Sequence, residues 1–485
     1  MIRRDVFDPH FAADHLLFTA ALGLALGLVC AGAARWVRGS RRDGMVLAIA
    51  GVALACIIGL SSLDASPFDP VSLRMKPYLS DLSEVLVFVA AGLLPAIGVF
   101  AAFAPGRPFR RPPAIAAGIL AVVVVAGCLL YLVEQRQEAA RPRHPKGTDT
   151  GELVSATKVI DGIDAATGLQ FAPNGDVAVF EAFEQRLRIY APSGGSYDVR
   201  AEGLLDLGEM GLGLDVAFHP GYPAQPYVWV TAEEGDVEPV EFRVFLGRID
   251  GGTIRFERVL PWVTATVRGN HYGGALAVCD GHLFMSVGDG ERTSTNEEPV
   301  QDGVTTRQLA QRMDAAAGKI LRWEVSGTEL RSEAGDVVLP LFAWGFRNPF
   351  SLACGVGAGE LIVGENGPVG HDQVRLVVPG SNHEWPFSDA RDALGPPLLD
   401  SGNAIFAPTG VAVRAAGDAH EILITTFTSE AVYSLPLDSN RQPGKLRQLL
   451  NVEGVAFAIA LDAAGCPYFT GDGGVWRIDD GTCIQ

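Results

Sequence analysis

The chain is 485 residues long and carries 56 acidic against 38 basic residues, a formal charge of −18. That length exceeds what one compact domain usually holds, so at least two units are expected. The acidic balance excludes a nucleic-acid surface, which needs clustered Lys and Arg opposite phosphates.

Apolar residues crowd the chain before about residue 135, and the acidic ones follow. Four stretches there lack any internal charge: about residues 16–34, 45–63, 85–104 and 114–133. Each is long enough to cross a hydrocarbon core of about 30 Å as a helix. The first loop holds Arg35, Arg38, Arg41 and Arg42, and the third holds Arg107, Arg110 and Arg111. The second carries Asp64, Asp69, Asp81 and Glu84 against only Arg74 and Lys76. Basic loops stay in the cytoplasm, so both termini are expected outside. Residues 1–134 are thus expected to form an α-helical transmembrane bundle of four spans in a bacterial inner (plasma) membrane. The rest of the chain then faces the periplasm or extracellular space. The bundle reads as an anchor, because the spans contain no charge and only His15 lies near one, at its edge.

Residues 135–154, with Arg141-Pro142-Arg143-His144-Pro145, read as a polar tether. From 155 to 485 a weak unit recurs: an apolar strand, a turn rich in Gly, Asp, Asn or Pro, and a second apolar strand. It is clearest from Gly168 to Val179, and it returns at Leu214–Val230, Ala275–Val287, Ser351–Val363, Val411–Ile424 and Ala458–Phe469. A β-sandwich leaves that repeat unexplained. The expected fold is all-β, a six-bladed β-propeller, with a helix over about 305–317 as its main interruption. Of the cysteines beyond the anchor (Cys279, Cys354, Cys466 and Cys483), the last two are the expected disulfide pair in an exported domain. No CxxC or Cys/His spacing points to zinc.

Propeller ligands sit on the axial face, so unusual loops between strands mark the candidate site. Three stand out: Gly269-Asn270-His271-Tyr272-Gly273-Gly274, Trp344-Gly345-Phe346-Arg347-Asn348-Pro349, and Gly364-Glu365-Asn366-Gly367-Pro368. The last leads to Asp372 and then to Gly380-Ser381-Asn382-His383-Glu384-Trp385-Pro386. Singly each is ordinary turn chemistry. Together with Gly288-Asp289, Gly318-Lys319-Ile320-Leu321-Arg322 and the run from Gly208 to Pro220, their order resembles the glucose/sorbosone dehydrogenase family over roughly residues 160–480.

The resemblance implies a six-bladed propeller and an oxidoreductase acting on CH–OH groups with pyrroloquinoline quinone and Ca2+. It implies that His271 is the catalytic base, a task suited to an imidazole. Asp289 would orient that ring, and Arg347 and Asn348 would hydrogen-bond the quinone edge, with Asn366 beside them. Gly367 and Pro368 would offer carbonyls to calcium, helped by Asp372. A sugar or aldehyde would be the substrate, and a membrane quinone or cytochrome the electron acceptor. The chain also departs from the pattern. Asn366 stands for a Gln, Phe350 for another Gln, and His383-Glu384 for an aromatic and a Gly. The late strand Ile424–Ala431 lacks the Lys and Arg that family members set against the cofactor's carboxylates, which leaves Arg414 as the substitute candidate. Two other functions stay open: a non-enzymatic binding module without tight cofactor binding, and a calcium-dependent lactone hydrolase by analogy of fold.

Overall fold

The computed structural model describes residues 142–483 except 143, 210, 236–239, 259–265, 268–270, 272, 291–298, 302–303, 333–338, 369, 387–395 and 482. The four expected spans lie outside the described residues. The chain divides into two compact units at residues 141 and 142, inside the expected tether.

The described part is built of antiparallel sheets. Strands β2 (Ala166–Phe171), β3 (Val177–Glu181), β4 (Arg186–Ser193) and β5 (Ser196–Leu204) form one group of four. A second comprises β6 (Leu212–Phe218), β7 (Tyr227–Glu234), β8 (Val240–Asp250) and β9 (Thr253–Arg258), with β10 (Thr266–Val267) pairing β8. The next sheet contains β11 (Gly273–Cys279), β12 (His282–Val287), β15 (Lys319–Ser326), β16 (Glu329–Arg331) and β17 (Leu341–Trp344). The small hairpin of β13 (Pro299–Gln301) and β14 (Val304–Thr305) interrupts it. Then follow β18 (Pro349–Cys354), β19 (Leu361–Glu365), β20 (Gln373–Val377) and β21 (Leu399–Asp400). Another group joins β22 (Pro408–Ala416), β23 (Ala419–Thr426), β24 (Ala431–Leu437) and β25 (Arg447–Asn451). The last sheet takes β26 (Ile459–Leu461), β27 (Pro467–Gly471) and β28 (Gly474–Asp479), and is completed by β1 (Ser155–Asp161). Ser155 pairs with Asp479 and Asp161 with Gly474, so the first strand closes the last sheet and removes a free edge.

Sequence dictates which strands lie inside. β3 (VAVFE) and β19 (LIVGE) are buried at every position, as strands covered on both faces must be. The outer strand β5 is exposed at most positions. Apolar clusters lie between successive sheets. One joins Trp229 and Phe242 to Met285 and Trp323, another joins Phe284 and Ile320 to Leu352 and Val363, and a further one returns from Tyr468 and Val475 to Leu169 and Val179. Each such large side chain, fully removed from water, stabilises by about 1.5–3 kcal/mol. Five of the inner strand pairs also share a register shift near the start of the inner strand: at Ala166/Gly168, Gly213/Asp215, Gly273/Leu276, Pro349/Ser351 and Pro408/Gly410. Such bulges twist the strand and re-aim the loop before it.

Two expectations change, and a third is met and extended. The helix over 305–317 is one turn, α1 (Thr306–Leu309), because the next carbonyls are satisfied by the Lys319 side chain instead of by helix amides. The second half of the tether is part of the body: Asp149 N donates to Leu446 O, Val154 N to Leu449 O, and His144 Nδ1 lies 2.7 Å from the Tyr433 hydroxyl. Two disulfides are present. Cys466–Cys483 is the pair expected, and Cys279–Cys354 links β11 to β18, with Cα atoms 5.7 Å apart.

Candidate active site

The candidate residues cluster on the loops that enter inner strands or follow second strands. His271 precedes β11, and Gly288 and Asp289 follow its partner β12. The two loops touch. A Cβ at Gly288 would fall 2.0 Å from the His271 carbonyl oxygen, and Gly273, with φ of +65°, turns the chain into β11. That close approach sets His271 Nδ1 2.7 Å from Asp289 Oδ1, with the two residues 7% and 1% exposed. A proton on Nδ1 is donated to the carboxylate, and Nε2 is left with its lone pair for an incoming proton. The other carboxylate oxygen, Oδ2, accepts the Trp385 indole N–H at 2.9 Å.

Arg347 and Asn348 lie between β17 and β18. The Arg347 backbone is tied at both ends, its N–H donating to Glu365 Oε1 at 2.8 Å and its carbonyl accepting from Asp289 N at 2.8 Å. Its Nη1 donates to the carbonyls of Asn366 and Gly367, both at 2.9 Å, and its guanidinium carbon lies 5.7 Å from the Trp385 ring centre. Asn348 Oδ1 accepts from Gly273 N at 3.3 Å, which leaves its Nδ2 to donate elsewhere, and its carbonyl accepts from Asn366 N. Glu365 is buried. Desolvation raises its carboxyl above the usual range, partly opposed by Arg375 and by the Arg347 N–H.

Asp372 holds the third loop. Oδ1 accepts from Gly367 N, and Oδ2 accepts from Phe406 N and Ala407 N, at 2.8–2.9 Å. Both oxygens are thereby engaged, so Asp372 shapes the turn that presents Asn366, Gly367 and Pro368. Burial still pushes its carboxyl upward, against those three amides. A Cβ at Gly367 would fall 2.3 Å from the His371 carbonyl oxygen, so only glycine fits that turn.

The two groups implied by the resemblance can be tested against these atoms. The Asn366 and Gly367 carbonyls already converge on positive charge, that of Arg347, and the buried Asn366 Oδ1 has no hydrogen-bond partner. Oxygens of this kind suit a hard cation. Among the described residues no cluster of three His, Cys, Asp or Glu exists, so a cation here would rest on carbonyls. At the quinone edge, Arg347 and Asn348 supply donors. The late side differs: Thr426 Oγ1 lies 2.6 Å from Ser429 Oγ, Thr428 Oγ1 donates to Ile405 O, and Phe427 packs near Phe457. Arg414, at the far end of β22, is bound to Glu421 and Asp480 at 2.5 and 2.7 Å. It is a structural pair and not the substitute for the absent cations. The donor set therefore fits the quinone edge of the cofactor and leaves its carboxylates without a charged partner among the late loops described.

Trp385, Gln311 and Asn382 belong to the site without having been assigned roles from sequence. Gln311 Nε2 donates to the Trp385 carbonyl at 2.7 Å and to Asn382 Oδ1 at 3.1 Å, while Asn382 Nδ2 donates back to Gln311 Oε1 at 2.9 Å. The Gly-x-Asn-x-x-Trp-Pro motif marked Asn382 and Trp385; nothing in the sequence marked Gln311.

The chain is similar to the glucose/sorbosone dehydrogenases. The model of that family, "Glucose / Sorbosone dehydrogenase", matches residues 163–396 and so takes in every candidate site residue. An uncharacterised protein of Synechocystis is 30% identical over 253 residues, covering 48% of this chain and 59% of its own. The aldose sugar dehydrogenase YliI of Escherichia coli is 27% identical over 246 residues, covering 47% of this chain and 60% of its own. The chain thus spans less than two thirds of either relative. The structure of the PQQ-bound form of an aldose sugar dehydrogenase from Streptomyces coelicolor superposes with a TM-score of 0.52 at 20% identity, over 70% of this chain and 99% of that one. At that identity the likeness establishes the fold, all-β and propeller-like.

Proposed function

We propose that the chain is a membrane-anchored quinoprotein dehydrogenase that oxidises an aldose or sugar aldehyde outside the cytoplasm. In this reading its propeller has six blades, since the nine-stranded sheet divides where a single parallel pair, Glu202 with Thr253, joins two antiparallel groups. Four transmembrane helices carry it, with the loop charges as support, and the two disulfides suit an oxidising compartment. Calcium would sit at the Asn366–Pro368 turn, and a membrane quinone or cytochrome would take the electrons.

The observation that carries the proposal is the His271–Asp289 pair, braced by Trp385 and flanked by Arg347 and Asn348. Pyrroloquinoline quinone, when bound, supplies the two-electron acceptor for the hydride leaving the substrate carbon. The chain's own task is to remove the hydroxyl proton and to steady charge. His271 Nε2 takes that proton, and the cation that results is stabilised by Asp289 at 2.7 Å. Arg347 and the Asn348 amide would hold the acceptor's oxygens and steady the negative charge that grows on them. The burial of all four side chains keeps water from weakening these interactions.

Titration of the calcium-loaded, detergent-solubilised chain with pyrroloquinoline quinone tests this reading. Saturable one-to-one uptake, followed by aldose-dependent dye reduction, is the expected result. A folded chain that takes up no quinone at tens of micromolar, or takes it up and reduces no dye with any aldose or aldehyde, overturns it. One observation favours a second reading, a binding module without tight cofactor binding: the hydroxyl-lined, uncharged late loop at Thr426–Ser429.

A further inference from the structure

Lys319 opens β15 and is completely buried, yet it lies outside the candidate site. Its Nζ donates to three backbone carbonyls, Leu309 O at 3.0 Å, Ala310 O at 2.9 Å and Ala317 O at 2.7 Å. Three N–H bonds meet three acceptors, an arrangement that only the ammonium form satisfies in full. Desolvation pushes the group down to about 7, and the charge of Asp314 opposes that shift. The three carbonyls also favour the charged form. Burying a cation is costly unless it is saturated in this way, so an apolar residue would be the simpler choice if this position only filled space.

The segment that Lys319 gathers reaches the site by two routes. Gly318, its neighbour, donates to Gly288 O and accepts from Phe346 N, which places it between the residues preceding Asp289 and Arg347. Ala310 O, which Lys319 holds, also accepts from Gly345 N. Next to Ala310 stands Gln311, whose amide fixes Asn382 and the Trp385 carbonyl. Trp385 N in turn donates to Gly345 O at 3.0 Å, and its indole donates to Asp289 Oδ2. The bond that orients His271 is thus held from behind by a loop whose own carbonyls converge on one ammonium.

We propose that Lys319 is a positioning residue for the His271–Asp289 pair, acting through the 309–317 loop and Gln311 to hold the Trp385 indole on Asp289. This deepens the dehydrogenase reading and rests on it for its catalytic consequence. The geometric claim needs no cofactor to be tested.

The test uses the full chain without quinone or substrate, so its failure is separable from failure of the dehydrogenase reading. The signal followed by NMR is hydrogen exchange of the Trp385 indole N–H, assigned by its loss in Trp385→Phe. Lys319→Met keeps the length of the stem and removes the three donors. It is expected to speed indole exchange at least about tenfold, as a lost brace of about 1.4 kcal/mol requires. Gln311→Ala, on a partly exposed loop, is expected to move the signal the same way with little change in thermal midpoint. If quinone-dependent activity is present, both variants lower kcat and leave KM near its starting value. Unchanged indole exchange in a folded Lys319→Met chain overturns the proposal. Should that variant fail to fold, the same null result in Gln311→Ala overturns it instead.

Discussion

The two halves of the axial face are built differently. On the side of β11, β12, β18 and β19, polar side chains are tied to one another or to backbone across five loops: His271 to Asp289, Asp289 to Trp385, Arg347 to Asn366 and Gly367, and Asn348 to Gly273. On the side of β22 to β25, the corresponding loop Phe427–Glu430 offers hydroxyls that bond each other or nearby carbonyls, and two phenyl rings. The first half suits the proton transfer and charge stabilisation that the proposed reaction needs. The second offers shape and little charge. The chemistry of the proposed reaction can therefore be complete while the grip on an anionic cofactor is weak, because the two tasks fall to different halves.

The largest effect expected from this contrast is on the first half. His271→Ala should lower dye reduction by about 10²–10⁴-fold at saturating quinone, the usual worth of a positioned general base. Quinone affinity should change little, since the imidazole is tied to Asp289. A His271→Ala chain with near-normal turnover would show that the proton leaves by another route. Next in size, Arg347→Ala removes charge-assisted hydrogen bonds worth about 1.5–3 kcal/mol. Quinone uptake should weaken by about tenfold to a hundredfold, measured by the same titration. Unaltered uptake would place the cofactor's polar edge elsewhere.

The same contrast decides how much was legible in the sequence. His271, Asp289, Arg347 and Asn348 were legible through the family resemblance that the order of their loops carries, and Gly288 and Gly273 mark where the His271 and Asp289 loops touch. The repeat was legible because buried second strands begin as short apolar runs, VAVF in β3 and LIV in β19, each after a turn. Ties between distant segments left no local trace. Trp385 reaches Asp289 across 96 positions, and Asp372 spends its carboxylate on the amides of Phe406 and Ala407, over thirty residues on. The helix expected over 305–317 fails for the same reason: the carbonyls of Leu309, Ala310 and Ala317 answer to Lys319, a tertiary partner that outweighs propensity. The tether ends sooner than its polarity implied because residues 149–154 add hydrogen bonds to β25.

The weaker half can be sharpened by adding what it lacks. Thr428→Lys places an ammonium on the late loop at the cost of one hydrogen bond to Ile405 O. If the cofactor's carboxylates face this loop, quinone uptake should tighten by about tenfold, the worth of one charge-assisted bond. The rate at saturation should stay the same, because the proton-transfer half is untouched. Weaker or unchanged uptake would break the division of labour between the halves.

The last expected effect falls on stability instead of turnover or uptake, and concerns how the stronger half withstands acid. His383 is 1% exposed, stacks on Phe346 at 4.2 Å between ring centres, and lies 3.2 Å from Ser381 Oγ through Nε2, while Nδ1 is buried without a partner. Desolvation, with a smaller contribution from Arg375, pushes it down to about 3, so it packs as a neutral aromatic ring. The folded chain then binds fewer protons at this site than the unfolded chain does. Stability from this group is complete above about pH 6.5 and is lost as the pH falls toward 3, with a slope approaching about 1.4 kcal/mol per pH unit. His383→Phe keeps the stacking ring and removes the titration. Urea unfolding at pH 7 should show a small change for the lost Ser381 bond, whereas at pH 4.5 the variant should be the more stable chain. A variant that loses stability with falling pH in parallel with the parent would mean that the acid sensitivity lies outside the wall of Phe346 and Arg347. The stronger half would then owe its shape to the hydrogen bonds alone, and not to a ring that must stay uncharged.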